Sequence, residues 1–253
     1  MFILREIILL LIPAGWFAAL ELSRQNTELF WYLVPLAFVQ QIITVWYLAK
    51  FRFNFTTFIF LISPIIFAFS SLLISLFLVN EVLFYVISAG GALILYIILK
   101  QYQLYFRYPF KYQPYTLESL SMYTSIVSVF FLACSAYGLL LFTGLDWQFV
   151  LLGLSLIVGL LCYQFFWINK IESKKSLLFS FVITLIEMEV FFAVTYFPTS
   201  YFVSGFILAS IYYAMLGFSK YYIQNTLSKA RVWGYLIVLF VTLLGVIITA
   251  QWS

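Results

Sequence analysis

The chain has 253 residues, of which 65% are hydrophobic, 22% aromatic and only 9% charged, and its mean hydropathy is +1.09. Thirteen basic and nine acidic side chains cannot cover the surface of a water-soluble domain of this length, so the composition excludes a soluble globular protein. In a chain of this composition the formal net charge of +4 says nothing about nucleic acid, and its placement along the chain matters more than its sum. We expect no nucleic-acid partner.

Nine apolar runs have about the 20 residues that a helix needs to cross the hydrocarbon core of a bilayer. They predict an all-α fold, a polytopic transmembrane helical bundle of about nine spans. We expect residues 1–253 to form a single integral membrane domain without a soluble domain. The first run resembles a short signal peptide, but it continues through Pro13 and Trp16, so we expect it to be retained. The predicted spans are 7–20, 29–49, 57–79, 82–99, 120–142, 147–168, 176–196, 200–218 and 232–250.

The basic residues are concentrated in every second connection between these spans, and therefore on one side of the membrane. With a cytoplasmic N-terminus, the outer segments contain only Arg24, as expected for loops that follow the positive-inside rule. One miscounted span would move every later loop to the other side and remove this bias. The sequence therefore predicts a cytoplasmic N-terminus, an outer C-terminus and insertion in the cytoplasmic (inner) membrane. The basic residues of the inner segments are Arg5, Lys50, Arg52, Lys100, Arg107, Lys111, Lys170, Lys174, Lys175, Lys220, Lys229 and Arg231.

The longest predicted connection, residues 101–119, is rich in tyrosine and lies on the cytoplasmic side. Pro109 and Pro114 interrupt any long helix there. Amphipathic aromatic rings beside basic residues favour a segment lying on the inner leaflet, and a docking surface for a cytoplasmic partner is the alternative. The candidate surface consists of Tyr102, Tyr105, Arg107, Tyr108, Lys111, Tyr112 and Tyr115.

Two carboxylic acids, Glu187 and Glu189, lie within the seventh predicted span. Acidic residues inside a membrane normally face a bundle interior or a wet cavity, so these are the candidate functional residues. They are about 200° apart around a helix and cannot point the same way. Glu187 continues a polar stripe with Thr184, whereas Glu189 falls among apolar side chains. We expect Glu187 to face other helices.

Other polar residues lie at comparable depth in the second and third spans. Gln40, Gln41, Ser70 and Ser71 could satisfy a carboxylic acid as donors and as acceptors. We therefore predict a polar pocket among spans two, three, four and seven. The alternative is that the same groups hold helices together by hydrogen bonds, worth about 0.6 kcal/mol each.

The residue types that are missing narrow the chemistry. The chain contains no histidine, which removes the usual general base and the His-dependent metal motifs. The two cysteines, Cys134 and Cys162, are predicted to lie about 12 Å apart in depth, too far for a disulfide. We expect no metal and no cofactor.

Three function classes remain. The sequence favours a non-catalytic binding or assembly subunit that contacts the lipid bilayer and either another membrane protein or a second copy of this chain. The alternative is a small proton- or cation-coupled transporter that uses an intramembrane glutamate. An enzyme is the least favoured class, because no acid-base set is available near the membrane surface.

Overall fold

The computed structural model describes residues 2–52 and 54–249, and the side chains within them except those of 2–8, 27, 246, 247 and 249. All regular secondary structure in these ranges is helical, which confirms the predicted all-α fold. Two short 3-10 helices, Thr27–Leu29 and Pro109–Lys111, lie in connections between α-helices. The α-helices are α1 (Phe2–Gln25), α2 (Phe30–Leu48), α3 (Phe55–Ser75), α4 (Glu81–Arg107), α5 (Thr116–Thr143), α6 (Trp147–Ile168), α7 (Ser173–Thr195), α8 (Tyr201–Ile223) and α9 (Lys229–Thr249).

Seven of these helices, α2 to α8, are long and apolar enough to cross a membrane. The chain is therefore a multi-pass membrane protein whose apolar helices contact lipid. Helix α1 includes the first predicted span, and α9 overlaps the last one, of which residue 250 lies outside the described residues. Their insertion, the cytoplasmic N-terminus and the choice of membrane stay predictions.

Helix α4 is longer than the hydropathy pattern predicts. It continues to Arg107, eight residues beyond the predicted end of the fourth span at residue 99, so the prediction that the connection begins at residue 101 is wrong. Residues 100–108 include no proline or glycine, so nothing in that stretch ends the helix before Pro109. The residue that precedes a proline disfavours the helical conformation. Tyr108 accordingly leaves the helix with φ −131° and ψ 60°. The connection comprises only residues 108–115.

The chain divides into two compact units, Met1–Thr124 and Ser125–Ser253. In the first unit, α3 is packed against α1, α2 and α4, and most of its residues are buried. Helix α1 lies against α4, where the ring of Trp16 fills the space beside Gly91. The description of the whole chain as one integral membrane domain stays a prediction.

In the first unit, the guanidinium group of Arg107 caps the C-terminal end of α2. Arg107 donates hydrogen bonds to the carbonyl oxygens of Tyr47 and Leu48, and it stacks on the Tyr47 ring with 4.8 Å to the centroid. The last carbonyls of a helix have no partner within the helix, and a cation there also complements the helix dipole. The extension of α4 to Arg107 thereby fixes the end of α2.

In the second unit, α7 lies between α6 and α8, and α9 packs on α8. Two glycines of α8 permit close helix contacts. A Cβ atom at Gly205 would lie 2.4 Å from the Cys134 sulfur and 2.8 Å from the Cys134 backbone nitrogen of α5. A Cβ atom at Gly217 would lie 2.3 Å from the ring of Tyr235 in α9. Small residues therefore set the helix spacing, as is usual in membrane bundles.

Candidate functional site

The site begins with the position of Glu187 on α7. It lies about 21 Å from the first residue of the helix and about 12 Å from the last, at 1.5 Å per residue. Its side chain is 0% exposed. Glu189 is exposed on the opposite side of α7, together with Leu178 and Leu185. The two acids thus face different surroundings, although only one residue separates them.

The hydroxyl groups that precede Glu187 on α7 donate to their own helix. Ser176 donates to the carbonyl of Ile171 (3.2 Å), Ser180 to that of Ser176 (2.6 Å) and Thr184 to that of Ser180 (2.7 Å). Such bonds satisfy the hydroxyl proton locally and leave the oxygen able to accept. The stripe can therefore accept a hydrogen bond, but these three donor bonds do not reach Glu187.

Three side chains from the other helices of the second unit interact electrostatically with Glu187. They are Tyr137 of α5, Cys162 of α6 and Tyr212 of α8. Tyr212 and Cys162 are 0% exposed. The Glu187 cluster, as we name these four residues, draws one member from each of the helices α5 to α8.

The hydroxyl and thiol groups of the Glu187 cluster form hydrogen bonds to groups other than the Glu187 carboxyl. The Tyr137 hydroxyl donates to the carbonyl of Phe191 at 3.0 Å, and its ring stacks on the Phe191 ring with centroids 4.5 Å apart. The Cys162 thiol donates to the Tyr212 hydroxyl at 3.8 Å, and Ser125 of α5 also hydrogen-bonds to Tyr212. The cluster is therefore held by bonds that bypass the carboxyl group.

Within the described residues, neither carboxyl oxygen of Glu187 has a hydrogen-bond partner. Across that same part of the chain, the ion pair formed is Arg24 with Glu81, so Glu187 has no basic partner there. Most buried polar groups are hydrogen-bonded, and leaving one unsatisfied costs about 1–3 kcal/mol. A group that bears this cost has unused binding capacity for a proton or a cation.

The described residues contain no group of three or more His, Cys, Asp or Glu side chains that could hold a metal ion. Glu187 instead lies within electrostatic range of two phenol hydroxyls and a thiol. A proton needs no further ligands to neutralise a carboxylate, whereas a metal ion needs several.

The remaining residues of the predicted pocket belong to the first unit. Gln40 donates from Nε2 to the Ile12 carbonyl at 3.1 Å, so it joins α2 to α1. Neither amide atom of Gln41, which is 0% exposed, has a partner among the described residues. Ser70 and Ser71 both donate to the carbonyl of Phe67 in their own helix. A pocket shared by Glu187, Glu189, Thr184 and these residues stays a prediction.

The tyrosine-rich candidate surface does not form one exposed strip. Tyr102 is 2% exposed and packs edge-on against Phe60 with centroids 4.9 Å apart, so its prediction as a surface residue is wrong. Tyr102 is buried because α4 is still helical at that position and turns this side chain towards α3. Tyr105, Lys111 and Tyr115 are exposed, while Arg107, Tyr108 and Tyr112 are partly buried.

Sequence reasoning missed Tyr137, Cys162 and Tyr212 as neighbours of Glu187. A helical wheel orders the side chains of one helix and carries no information about which helix lies opposite. The only available signal was that Tyr212 lies near the middle of α8, away from the membrane surface where tyrosine is common.

Comparison with known proteins identifies one family. Residues 28–249 match the family described as "Protein of unknown function (DUF5656)", and the chain belongs to this family. No curated protein and no solved structure matches the chain. The family description specifies no activity, so the function must be argued from the site.

Proposed function

We propose that this DUF5656 protein is a small proton-coupled membrane carrier in which the carboxyl group of Glu187 binds and releases the proton. The observation that carries the proposal is a fully buried carboxyl group, deep in α7, whose two oxygens have no hydrogen-bond partner among the described residues. Intramembrane acids are expensive, and in pumps and transporters they mark proton relays.

A purely structural role accounts less well for this side chain. A glutamate that holds helices together does so by donating or accepting an interhelical hydrogen bond. The Tyr137 hydroxyl donates to the Phe191 carbonyl, and both oxygens of Glu187 lack a hydrogen-bond partner among the described residues. The acid thus carries the cost of burial without the bond that a structural role requires.

Exchange with deuterium oxide tests the proposal without knowledge of the transported solute. A protonated carboxyl group has an infrared C=O stretching band that shifts when its proton is replaced by deuterium. In proteoliposomes the wild-type protein should show this band, and D2O should shift it because a carrier exposes its proton site during the cycle. Glu187→Gln should remove the band, whereas the matched control Glu189→Gln should retain it.

The same measurement can refute the proposal. A Glu187 band that stays unshifted in D2O while the protein remains folded would identify a sealed, structural acid. A spectrum unchanged by Glu187→Gln would show that this residue does not hold the proton.

A binding or assembly role is the second candidate, and Glu189 is the observation that favours it. This acid is exposed on the same side of α7 as Leu178 and Leu185, a costly position if only lipid covers it. A partner helix that hydrogen-bonds to Glu189 would remove that cost. Cross-linking and native mass spectrometry of the protein in native-lipid nanodiscs should then show a complex that Glu189→Leu abolishes and Glu187→Gln preserves. A monomeric wild-type protein would contradict this role.

A further inference from the structure

A surface groove runs between α6 and α7 in the second unit, apart from the Glu187 cluster. Its cavity volume is about 720 Å³, and its lining is apolar with a few hydroxyl groups. Three of the leucine and phenylalanine side chains that line it are more than 60% exposed, so the groove is open to the exterior of the protein. Residues that define it are Ser155, Gly159, Tyr163, Leu177, Phe181 and Thr184.

The groove has the shape of a channel along two helices. On α6, Ser155, Gly159 and Tyr163 follow one another at intervals of four residues, one helical turn each. Gly159 has no side chain, and a Cβ atom there would already lie 3.4 Å from the Thr184 hydroxyl of α7. Gly159 and Thr184 therefore bring α6 and α7 close together at the floor of the groove, over which an extended apolar chain can lie.

Basic residues lie at one end of this groove. Lys174 precedes Leu177 by three residues and Phe181 by seven, so all three occupy the same face of α7. Lys170 follows Tyr163 by seven residues, immediately beyond the end of α6. Lys170, Lys174 and Lys175 are all exposed.

Residues 170–175, which lead from the end of α6 into the first turn of α7, form a positively charged segment. Their three lysines and the exposed acid Glu172 give a net charge of three minus one, or +2. The positive-inside rule predicts that this segment lies at the cytoplasmic surface, where anionic lipids attract basic residues. An apolar channel that ends at a cluster of cations is complementary to a molecule with an apolar chain and an anionic head.

We propose that the α6–α7 groove binds an anionic phospholipid of the inner leaflet. One acyl chain occupies the channel between Ser155 and Phe181, and the phosphate group lies against Lys170 and Lys174. Basic pockets between membrane helices are known to bind phosphate-bearing headgroups. Glu187 does not line the groove, which ends one helical turn away at Thr184, so lipid binding is independent of proton binding.

A second apolar groove, of about 410 Å³ between α5, α8 and α9, provides a contrast. The nearest basic residue along α8 is Lys220, which is only partly exposed and lies over the rings of Phe165 and Tyr221 at 6.0 and 5.9 Å. That cation is directed towards aromatic rings. Along α9 the nearest basic residue is the exposed Arg231, whose guanidinium group donates to the Thr226 carbonyl at 2.5 Å and lies over the Tyr221 ring at 4.4 Å. The cations nearest the second groove on α8 and α9 are thus directed towards groups of the protein itself.

Spin-labelled lipids in proteoliposomes test the proposal, because lipid held at a protein site gives an immobilised component in the electron paramagnetic resonance spectrum. The probes are phosphatidylglycerol and phosphatidylcholine, each labelled on an acyl chain. The wild-type protein should immobilise phosphatidylglycerol in preference. The double variant Lys170→Gln, Lys174→Gln should weaken that preference about 30-fold, the effect expected of two basic residues beside an anionic headgroup. The control Lys229→Gln, an exposed lysine elsewhere, should not.

A filling substitution tests the channel itself. Ser155→Phe should reduce the immobilised component, while Leu152→Phe, at a 60% exposed position of α6 outside the groove, should leave it unchanged. Melting temperatures in the same lipid verify that the variants are folded, and Lys174→Arg should retain the preference if Lys174→Gln proves unstable. Equal immobilisation of the two wild-type probes, or a preference that survives the double lysine variant, would overturn the proposal. Binding that persists in Glu187→Gln separates this outcome from that of the proton-site experiment.

Discussion

Replacement of Glu187 by methionine should make the protein more stable. Both carboxyl oxygens are buried without a partner in the described residues, and relieving one such unsatisfied group is worth about 1–3 kcal/mol. Methionine is unbranched, of similar length and apolar, so it should fill the same space without an unsatisfied polar atom. We therefore expect the free energy of unfolding of Glu187→Met to rise by about 1–3 kcal/mol.

Two neighbouring glutamines of α2 provide matched comparisons of opposite sign. Gln41→Met removes a buried amide with no partner among the described residues and should also stabilise the protein. Gln40→Met removes the donor to the Ile12 carbonyl and should cost about 0.5–1.5 kcal/mol. The three substitutions introduce the same side chain, so the sign follows from the hydrogen bonding of the residue replaced.

Thermal unfolding in one detergent, followed by tryptophan fluorescence, measures these effects. A change of 1 kcal/mol moves the melting temperature by roughly 2–4 °C for a protein of this size. A lower melting temperature for Glu187→Met would refute the inference that its carboxyl group lacks a structural bond. Equal changes for Gln40→Met and Gln41→Met would refute the hydrogen-bond argument as a whole.

Three further substitutions test the packing. Gly205→Ala should lower the free energy of unfolding by about 1–3 kcal/mol, because its new methyl group would meet backbone atoms of α5. The control Gly153→Ala, whose methyl group would meet nothing within 4 Å, should not lower it. Equal melting temperatures for the two variants would contradict this prediction. Gly217→Ala should cost less than Gly205→Ala in the same unfolding assay, because the obstacle is the end of a side chain that can rotate away. Arg107→Met should cost about 1–2 kcal/mol and speed tryptic cleavage between α2 and α3 by freeing the end of α2, whereas Lys111→Met should leave the digestion rate unchanged.

Hydropathy predicted the helices well, because a bilayer of fixed thickness requires apolar runs of a particular length. It could not predict where α4 ends, since Lys100 to Arg107 extend the helix without contributing to the apolar run. The end is set by Pro109 and by the hydrogen bonds of Arg107 to α2, and the second of these is a tertiary contact. The surface assignment of Tyr102 failed for the same reason.

The candidate site, like the helices, was predictable from the sequence only in part. The spacing of Glu187 and Glu189 places them on different sides of one helix, and this follows from the sequence. The residues that surround Glu187 do not, because a chain with 19 tyrosines offers no reason to select Tyr137 and Tyr212. Which helices meet at Glu187 depends on the packing of α5, α6 and α8 around α7.

Chemical labelling of the two buried thiols can report the motions of the helices around them. Cys134 and Cys162 are the chain's two cysteines, both free and 0% exposed, so thiol reagents modify them only when the surrounding helices separate. Labelling of Cys134 reports separation of α5 from α8 at Gly205, and labelling of Cys162 reports opening beside Tyr212 and Glu187. The ratio of the two labelling rates distinguishes a local opening of the acid's surroundings from unfolding of the unit, with no engineered probe.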